Sequence, residues 1–66
     1  MKEEIYRMIL NYYKKNNSGM TASWVFDDFV KKGKTDISFE EIGEVLEQLV
    51  IDSKLRKQAG GFYIPS

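Results

Sequence analysis

The chain has 66 residues, with ten Lys and Arg against ten Asp and Glu, so its formal net charge at neutral pH is zero. A chain this short buries only about 60% of the surface that it exposes when unfolded, so we expect a single domain, residues 1–66, with a core dense in large apolar side chains. The chain contains no Cys and no His, which excludes disulfide bonds, thiolate nucleophiles, Cys-ligated zinc and the Ser-His-Asp triad.

No segment of the chain predicts contact with a membrane. Its apolar runs are short, as in Leu49-Val50-Ile51, whereas a helix that crosses a bilayer needs about 20 apolar residues. The sequence Met1-Lys2-Glu3-Glu4 leads into a polar-interrupted segment and does not have the form of a signal peptide. We therefore expect a cytoplasmic protein.

Residues 2–15 have the period of an amphipathic helix. Their apolar side chains cover an arc of about 200°, which is wider than the roughly 100° stripe that one core contact needs. Two interpretations remain open: the helix lies between two others, or its edge of Tyr6, Leu10 and Tyr13 faces a partner, which could be a second copy in a homodimer. The segment Asn16-Asn17-Ser18-Gly19 then predicts a helix end, with Gly19 in the left-handed conformation.

A second helix is predicted over residues 22–32, with Thr21 as its N-cap and Gly33 at its end. Trp24 lies about 160° from Phe26 around this helix and is therefore off its apolar face. Two roles remain open for Trp24. It is a candidate for partner binding, because Trp is common in binding hot spots, or its indole ring folds over the first helix or the C-terminal strands.

The third predicted helix, at about residues 39–52, has the strongest local signal. Ser38 and Glu41 have the spacing of a capping box, in which each side chain accepts from the other residue's backbone N–H. Ile37 and Ile42 occupy the two positions of a hydrophobic staple around that cap.

The outward face of this third helix is acidic. No Lys or Arg occurs between residues 35 and 53. Ile51 lies at the lower end of this face, either as an exposed apolar anchor or as the residue at the helix-to-strand corner. The polar residues of the face are Glu40, Glu41, Glu44, Glu47 and Gln48.

The C-terminal segment changes to the period of a strand. Residues 54–58 and 62–64 alternate and are joined by Ala59-Gly60-Gly61, which predicts a β-hairpin that ends at Pro65. The expected core comprises Ile5, Ile9, Tyr12, Val25, Phe26, Phe29, Phe39, Ile42, Leu46, Leu49, Leu55 and one side of Phe62-Tyr63-Ile64.

Three helices followed by a hairpin resemble the winged helix-turn-helix superfamily. The resemblance is carried by the second helix, the short turn, the exit Leu46-x-x-Leu49-Val50-x-Asp52-x-x-Leu55 and the return strand Gly60-Gly61-Phe62-Tyr63-Ile64. It implies an α+β fold, a three-helix winged helix-turn-helix with a C-terminal two-stranded β-hairpin wing. Within this superfamily, Trp24-Val25-Phe26-Asp27-Asp28-Phe29 is similar to the small D-type accessory proteins of dissimilatory sulfite reductase, which implies an enzyme as partner.

The resemblance favours a DNA-binding transcription regulator, in which the third helix enters the major groove and the wing contacts the backbone. The acidic third helix opposes this function, because affinity for duplex DNA comes largely from Lys and Arg at phosphates. We therefore expect any contact with double-stranded DNA to be led by the wing. The candidate nucleic-acid-binding residues are Lys54, Arg56, Lys57, Gln48 and Lys34, although the basic ones could equally be solvated residues at the ends of elements.

The alternative is a protein-interaction adaptor or accessory subunit that binds a partner with a basic surface. Its candidate residues are Trp24, Glu40, Glu44, Glu47 and Ile51. We do not expect an enzyme, because these carboxylates lie on a convex helix surface without a predicted pocket. The sequence predicts no cofactor, metal or catalytic residue.

Overall fold

The computed structural model describes residues 1–66. Three helices, α1 (Lys2–Asn16), α2 (Ala22–Lys31) and α3 (Phe39–Ile51), precede the strands β1 (Leu55–Gln58) and β2 (Phe62–Pro65). The strands form an antiparallel hairpin. This confirms the α+β fold of a helix-turn-helix with a C-terminal β-hairpin wing. None of the three helices has both the length and the apolar character that crossing a membrane requires.

The caps predicted for α2 and α3 are both present. Thr21 Oγ1 accepts from the backbone N–H of Trp24 at 3.2 Å. At α3, Ser38 Oγ accepts from the Glu41 N–H at 3.1 Å, and the Glu41 carboxylate accepts from the Ser38 N–H at 2.9 Å. Each bond satisfies a backbone donor that has no partner inside its helix, so these starts follow from local chemistry.

The end of α1 differs from the prediction. Asn17, with a φ of 54°, takes the left-handed position that ends the helix, and Gly19 does not have a positive φ. Gly19 is instead needed for a close approach, because a Cβ atom there would lie 2.5 Å from the Tyr63 carbonyl oxygen and 2.8 Å from Ile64 Cγ2.

Met20, next to Gly19, pairs with β2. The Tyr63 N–H donates to the Met20 carbonyl oxygen at 2.8 Å, and the Met20 N–H donates to the Tyr63 carbonyl oxygen at 3.2 Å. Because β1 pairs with the other edge of β2, β2 is hydrogen-bonded on both sides. The segment between α1 and α2 is thereby tied to the wing.

The hairpin register places Lys57 opposite Tyr63 and Arg56 opposite Ile64. Its loop contains Gly60 and Gly61 with φ of 86° and 82°, a conformation that residues with a Cβ atom rarely adopt. Since neighbouring residues of a strand point to opposite faces, Arg56 lies on the face opposite to Lys57. Tyr63 and Ile64 are both buried, so both faces of β2 are covered near its end, and the expectation that only one side of Phe62-Tyr63-Ile64 is in the core was wrong.

The core lies between the three helices and the base of the hairpin. Phe39 is an exception to the expected core, because it is 48% exposed and meets Phe26 edge-on at 5.9 Å between ring centroids. Tyr12 and Phe26 are half-buried and pack against the core. The buried apolar residues are Ile5, Ile9, Met20, Val25, Phe29, Ile42, Leu46, Leu49, Leu55, Tyr63 and Ile64.

Two glycine substitutions with opposite expected effects test this packing. Gly19→Ala should lower the free energy of unfolding by about 1–3 kcal/mol, because its Cβ overlaps backbone atoms of β2. Gly43→Ala, in the middle of α3, should raise it by about 1 kcal/mol, because a Cβ there meets no atom within 4 Å and Ala favours the helix. Urea unfolding of both variants measures the difference, and equal effects would contradict the close approach at Gly19.

Candidate interaction surfaces

The outward face of α3 forms one wall of a shallow groove of about 520 Å³, which Tyr63 closes on the wing side. Ile51 is the last residue of α3, at the helix-to-strand corner, and it is 73% exposed in this groove, so both interpretations of Ile51 stay open. Glu40 and Glu44 take part in no ion pair. We name this surface the acidic groove; the α3 residues that line it are Glu40, Gly43, Glu44, Glu47, Gln48 and Ile51.

Glu47 differs from the other two because the wing binds it. Its Oε2 atom accepts from the Tyr63 hydroxyl at 2.6 Å and from Lys57 Nζ at 3.3 Å. The hydrogen bond from Tyr63, followed by that from Lys57, lowers the pKa of the Glu47 carboxyl. Burial, followed by the hydrogen bond to Glu47, raises the pKa of the Tyr63 hydroxyl. These contacts hold the wing against the acidic groove.

Tyr63→Phe tests this contact, because it removes only the hydroxyl. We expect the free energy of unfolding at pH 7 to fall by about 1 kcal/mol, the net contribution of a typical hydrogen bond. A carboxyl whose pKa is lowered on folding stabilises the fold above its ordinary pKa, and this contribution is lost as the pH falls below about 4.3. The pKa of the Tyr63 hydroxyl is raised on folding, so the folded protein holds this proton more tightly than the unfolded chain. The fold therefore loses stability as the pH rises above about 10.

Urea unfolding of the wild type and of Tyr63→Phe between pH 3 and pH 11 measures both effects. The difference in stability between the two proteins should be largest near pH 7 and should decrease towards both extremes. Lowered carboxyl pKa values at Glu4 and Asp52 affect both proteins equally, so they cancel in this difference. A difference that does not depend on pH would contradict the role of the Glu47 carboxylate.

Most of the candidate nucleic-acid-binding residues are engaged within the domain. Lys57 binds Glu47, and Lys34 forms an ion pair with Glu4 that lowers the pKa of the Glu4 carboxyl. Lys54 Nζ lies 5.4 Å from the centre of the Tyr6 ring. Gln48 Nε2 donates to Asp52 Oδ1 at 3.2 Å.

Arg56 alone among the five candidates has neither an ion pair nor a side-chain hydrogen bond nor a cation–π contact. It is exposed on β1, on the face opposite to Lys57. The wing therefore carries two cations without a carboxylate partner, Arg56 and Lys54.

Trp24 packs against α1 and the wing and is also exposed, so both roles that the sequence left open for it agree with the structure. Its ring meets Tyr12 of α1 edge-on at 5.5 Å and Phe62 of the wing at 6.5 Å between centroids. It is nevertheless 45% exposed. Trp24 therefore joins α1, α2 and the wing and still has a large accessible surface outside the acidic groove.

The edge of α1 proposed for a homodimer is only partly accessible. Tyr6, Leu10 and Tyr13 are each half-buried, and Tyr6 packs against the core. This favours the interpretation of α1 as a helix packed on more than one side, and the homodimer stays a prediction.

A second groove, of about 740 Å³, runs between α1 and α2 and was not expected from the sequence. Met8, Tyr12 and Met20 are its apolar residues, and Lys14 and Lys15 line it from the last turn of α1. The only signal for it in the sequence is the Lys14-Lys15 pair, which also suits the C-terminal end of a helix. We name it the α1–α2 groove.

No group of three or more Asp or Glu side chains is placed to hold a metal ion. Comparisons of the chain with protein-family models, with curated proteins and with solved structures find no match.

Proposed function

We propose that this protein is a non-enzymatic interaction module, an adaptor or accessory subunit that binds a basic protein partner in the acidic groove. The observation that carries the proposal is the pairing of Ile51, 73% exposed, with the unpaired carboxylates of Glu40 and Glu44 on one face of α3. An apolar anchor beside charged groups is the composition of a surface that buries a partner side chain and orients it by charge. An enzyme partner, as the resemblance to D-type accessory proteins implies, belongs to this class.

The charge of α3 argues against the common use of this fold. In DNA-binding helix-turn-helix proteins the corresponding helix lies in the major groove. Here that face carries Glu40, Glu44 and Glu47, which would meet a surface with one negative charge per ~1.7 Å of helix axis. Lys57, a cation beside this face, is already bound to Glu47.

Gly43 supports contact at the centre of the groove. A glycine inside a helix costs about 1 kcal/mol relative to alanine, and the fold does not require it, because a Cβ atom at this position meets no atom within 4 Å. Glycine is often found where another molecule must approach the backbone closely. Gly43 lies between Glu40 and Glu47 on the same face, so a partner chain could lie directly on the helix there.

A titration of ¹⁵N-labelled protein, followed by amide NMR shifts, tests the proposal. The probe is a 15-residue amphipathic peptide of Lys and Leu, and the comparison ligand is a mixed-sequence DNA duplex, each at low salt and at ~150 mM. We expect the peptide to shift the amides of residues 40–51 and the duplex to produce weaker shifts that disappear at the higher salt, since phosphate contacts weaken as salt increases.

Charge-reversed variants identify the site. Glu44→Lys should raise the Kd for the peptide about tenfold, which corresponds to about 1.4 kcal/mol, whereas Asp27→Lys makes the same change in net charge on α2 and should have little effect. Gly43→Ala should also weaken binding although it stabilises the fold. Equal effects of Glu44→Lys and Asp27→Lys would show that the peptide responds only to net charge, and the proposal would then be wrong.

Double-stranded DNA is the second candidate, favoured by the unpaired cations Lys54 and Arg56 on the wing. For this function the duplex would shift residues 54–61 at ~150 mM salt, and Arg56→Glu would abolish those shifts. That result, together with no binding of the peptide, would replace the adaptor by a wing-led DNA binder.

A further inference from the structure

The α1–α2 groove lies outside the acidic groove and shares no residue with it. It extends along α1 from Glu4 to Lys15, which at 1.5 Å per residue is about 16 Å, or three helical turns. Its volume of about 740 Å³ is within the range of binding clefts. It therefore has the length to accept a short segment of another chain.

The unbalanced charge of this groove is positive. Its two carboxylates are neutralised, since Asp28 is paired with Lys32 at 3.0 Å and Glu4 with Lys34. Arg7 is likewise bound to Glu3.

Lys14 and Lys15 remain, because neither takes part in an ion pair. Both are exposed in the last turn of α1 and line the groove. A ligand that brings carboxylates to this end would therefore form new ion pairs without breaking any that the fold already has.

The apolar residues of the groove determine which anionic ligand fits. Met8 and Tyr12 are half-buried on α1, and Met20, between α1 and α2, is buried and also lines the groove. Methionine side chains are flexible and polarisable, and they adapt to apolar side chains of varied shape. A phosphate backbone gains nothing from such a surface, whereas leucine-type side chains do.

We infer that the α1–α2 groove binds an acidic amphipathic helix of a partner protein, whose apolar side chains contact Met8 and Tyr12 and whose carboxylates pair with Lys14 and Lys15. This is a helix-in-groove mode of recognition, in which residues at i, i+3, i+4 and i+7 act as anchors. The site does not depend on the acidic groove. With both sites, the domain can connect a basic and an acidic partner segment at two different faces.

The test uses the full chain and a fluorescein-labelled 15-residue peptide with Leu at i, i+3, i+4 and i+7 and Glu elsewhere. Fluorescence anisotropy should give saturable binding that weakens from low salt to ~150 mM, and amide NMR shifts should lie in residues 4–15 and 20–32. The same peptide with Lys in place of Glu should not shift these residues. No saturable binding of the acidic peptide, or shifts outside these two segments, would overturn the inference.

Paired variants separate the site from net charge. Lys14→Glu with Lys15→Glu should raise the Kd for the acidic peptide at least about tenfold, and Lys14→Gln with Lys15→Gln should raise it less, in proportion to the charge removed. The matched control, Lys31→Glu with Arg56→Glu, makes the same change in net charge outside the groove and should change the Kd less than about twofold. Equal effects of the two reversed pairs would overturn the inference.

Two further measurements test whether the two grooves are separate sites and whether the ligand is a protein segment. Glu44→Lys, which damages the acidic groove, should leave binding of the acidic peptide intact, and a loss of binding in this variant would show that the two grooves are one site. A single-stranded oligonucleotide that shifts residues 4–15 more strongly than the acidic peptide would replace the protein segment by nucleic acid as the ligand.

Discussion

Tyr63 makes the contacts that hold the wing to the helices. Its backbone exchanges two hydrogen bonds with Met20, its ring is buried, and its hydroxyl donates to Glu47 of α3. An isolated two-stranded hairpin is marginally stable at best in water, so β1 and β2 depend on these contacts. Gly19 is what permits them, because any larger residue would meet the Tyr63 carbonyl oxygen. The positions of Lys57 and Arg56, and the closure of the acidic groove on its wing side, all follow from the position that Tyr63 gives to the wing.

Those parts of the fold that follow from local chemistry could be predicted from the sequence. The Ser38 and Glu41 capping box, the Thr21 cap and the Gly60-Gly61 turn each depend on residues within four positions of one another, so their spacing was sufficient. The pairing of Met20 with Tyr63 was not predictable in this way. It joins residues 43 positions apart in the chain through a single bridge. A glycine at position 19 is compatible both with a helix end and with the close approach of a strand, so the residue type alone does not distinguish the two.

The candidate site was predictable in composition and less so in geometry. Periodicity was enough to place Glu40, Glu44, Glu47 and Ile51 on one face of α3. It could not distinguish Glu47, which the wing binds, from Glu40 and Glu44, which remain unpaired, because Lys57 and Tyr63 reach it only through tertiary packing. The α1–α2 groove was missed for a similar reason. Its walls come from two helices, and the periodicity of each helix does not show which of its residues face the other helix. The two grooves differ in the sign of their unpaired charges, which are negative at Glu40 and Glu44 on α3 and positive at Lys14 and Lys15 on α1.

The account depends most directly on a wing that Tyr63 holds against the helices, and native-state amide hydrogen exchange tests this. Amides that a local opening exposes exchange with a low free energy, whereas amides of the core exchange only when the whole protein unfolds. We expect the Met20 and Tyr63 amides to exchange with the same free energy as the Leu46 amide in the core, equal to the free energy of global unfolding. Exchange of Met20 and Tyr63 at a much lower free energy, with Leu46 still protected, would show that the wing detaches on its own and would contradict the account.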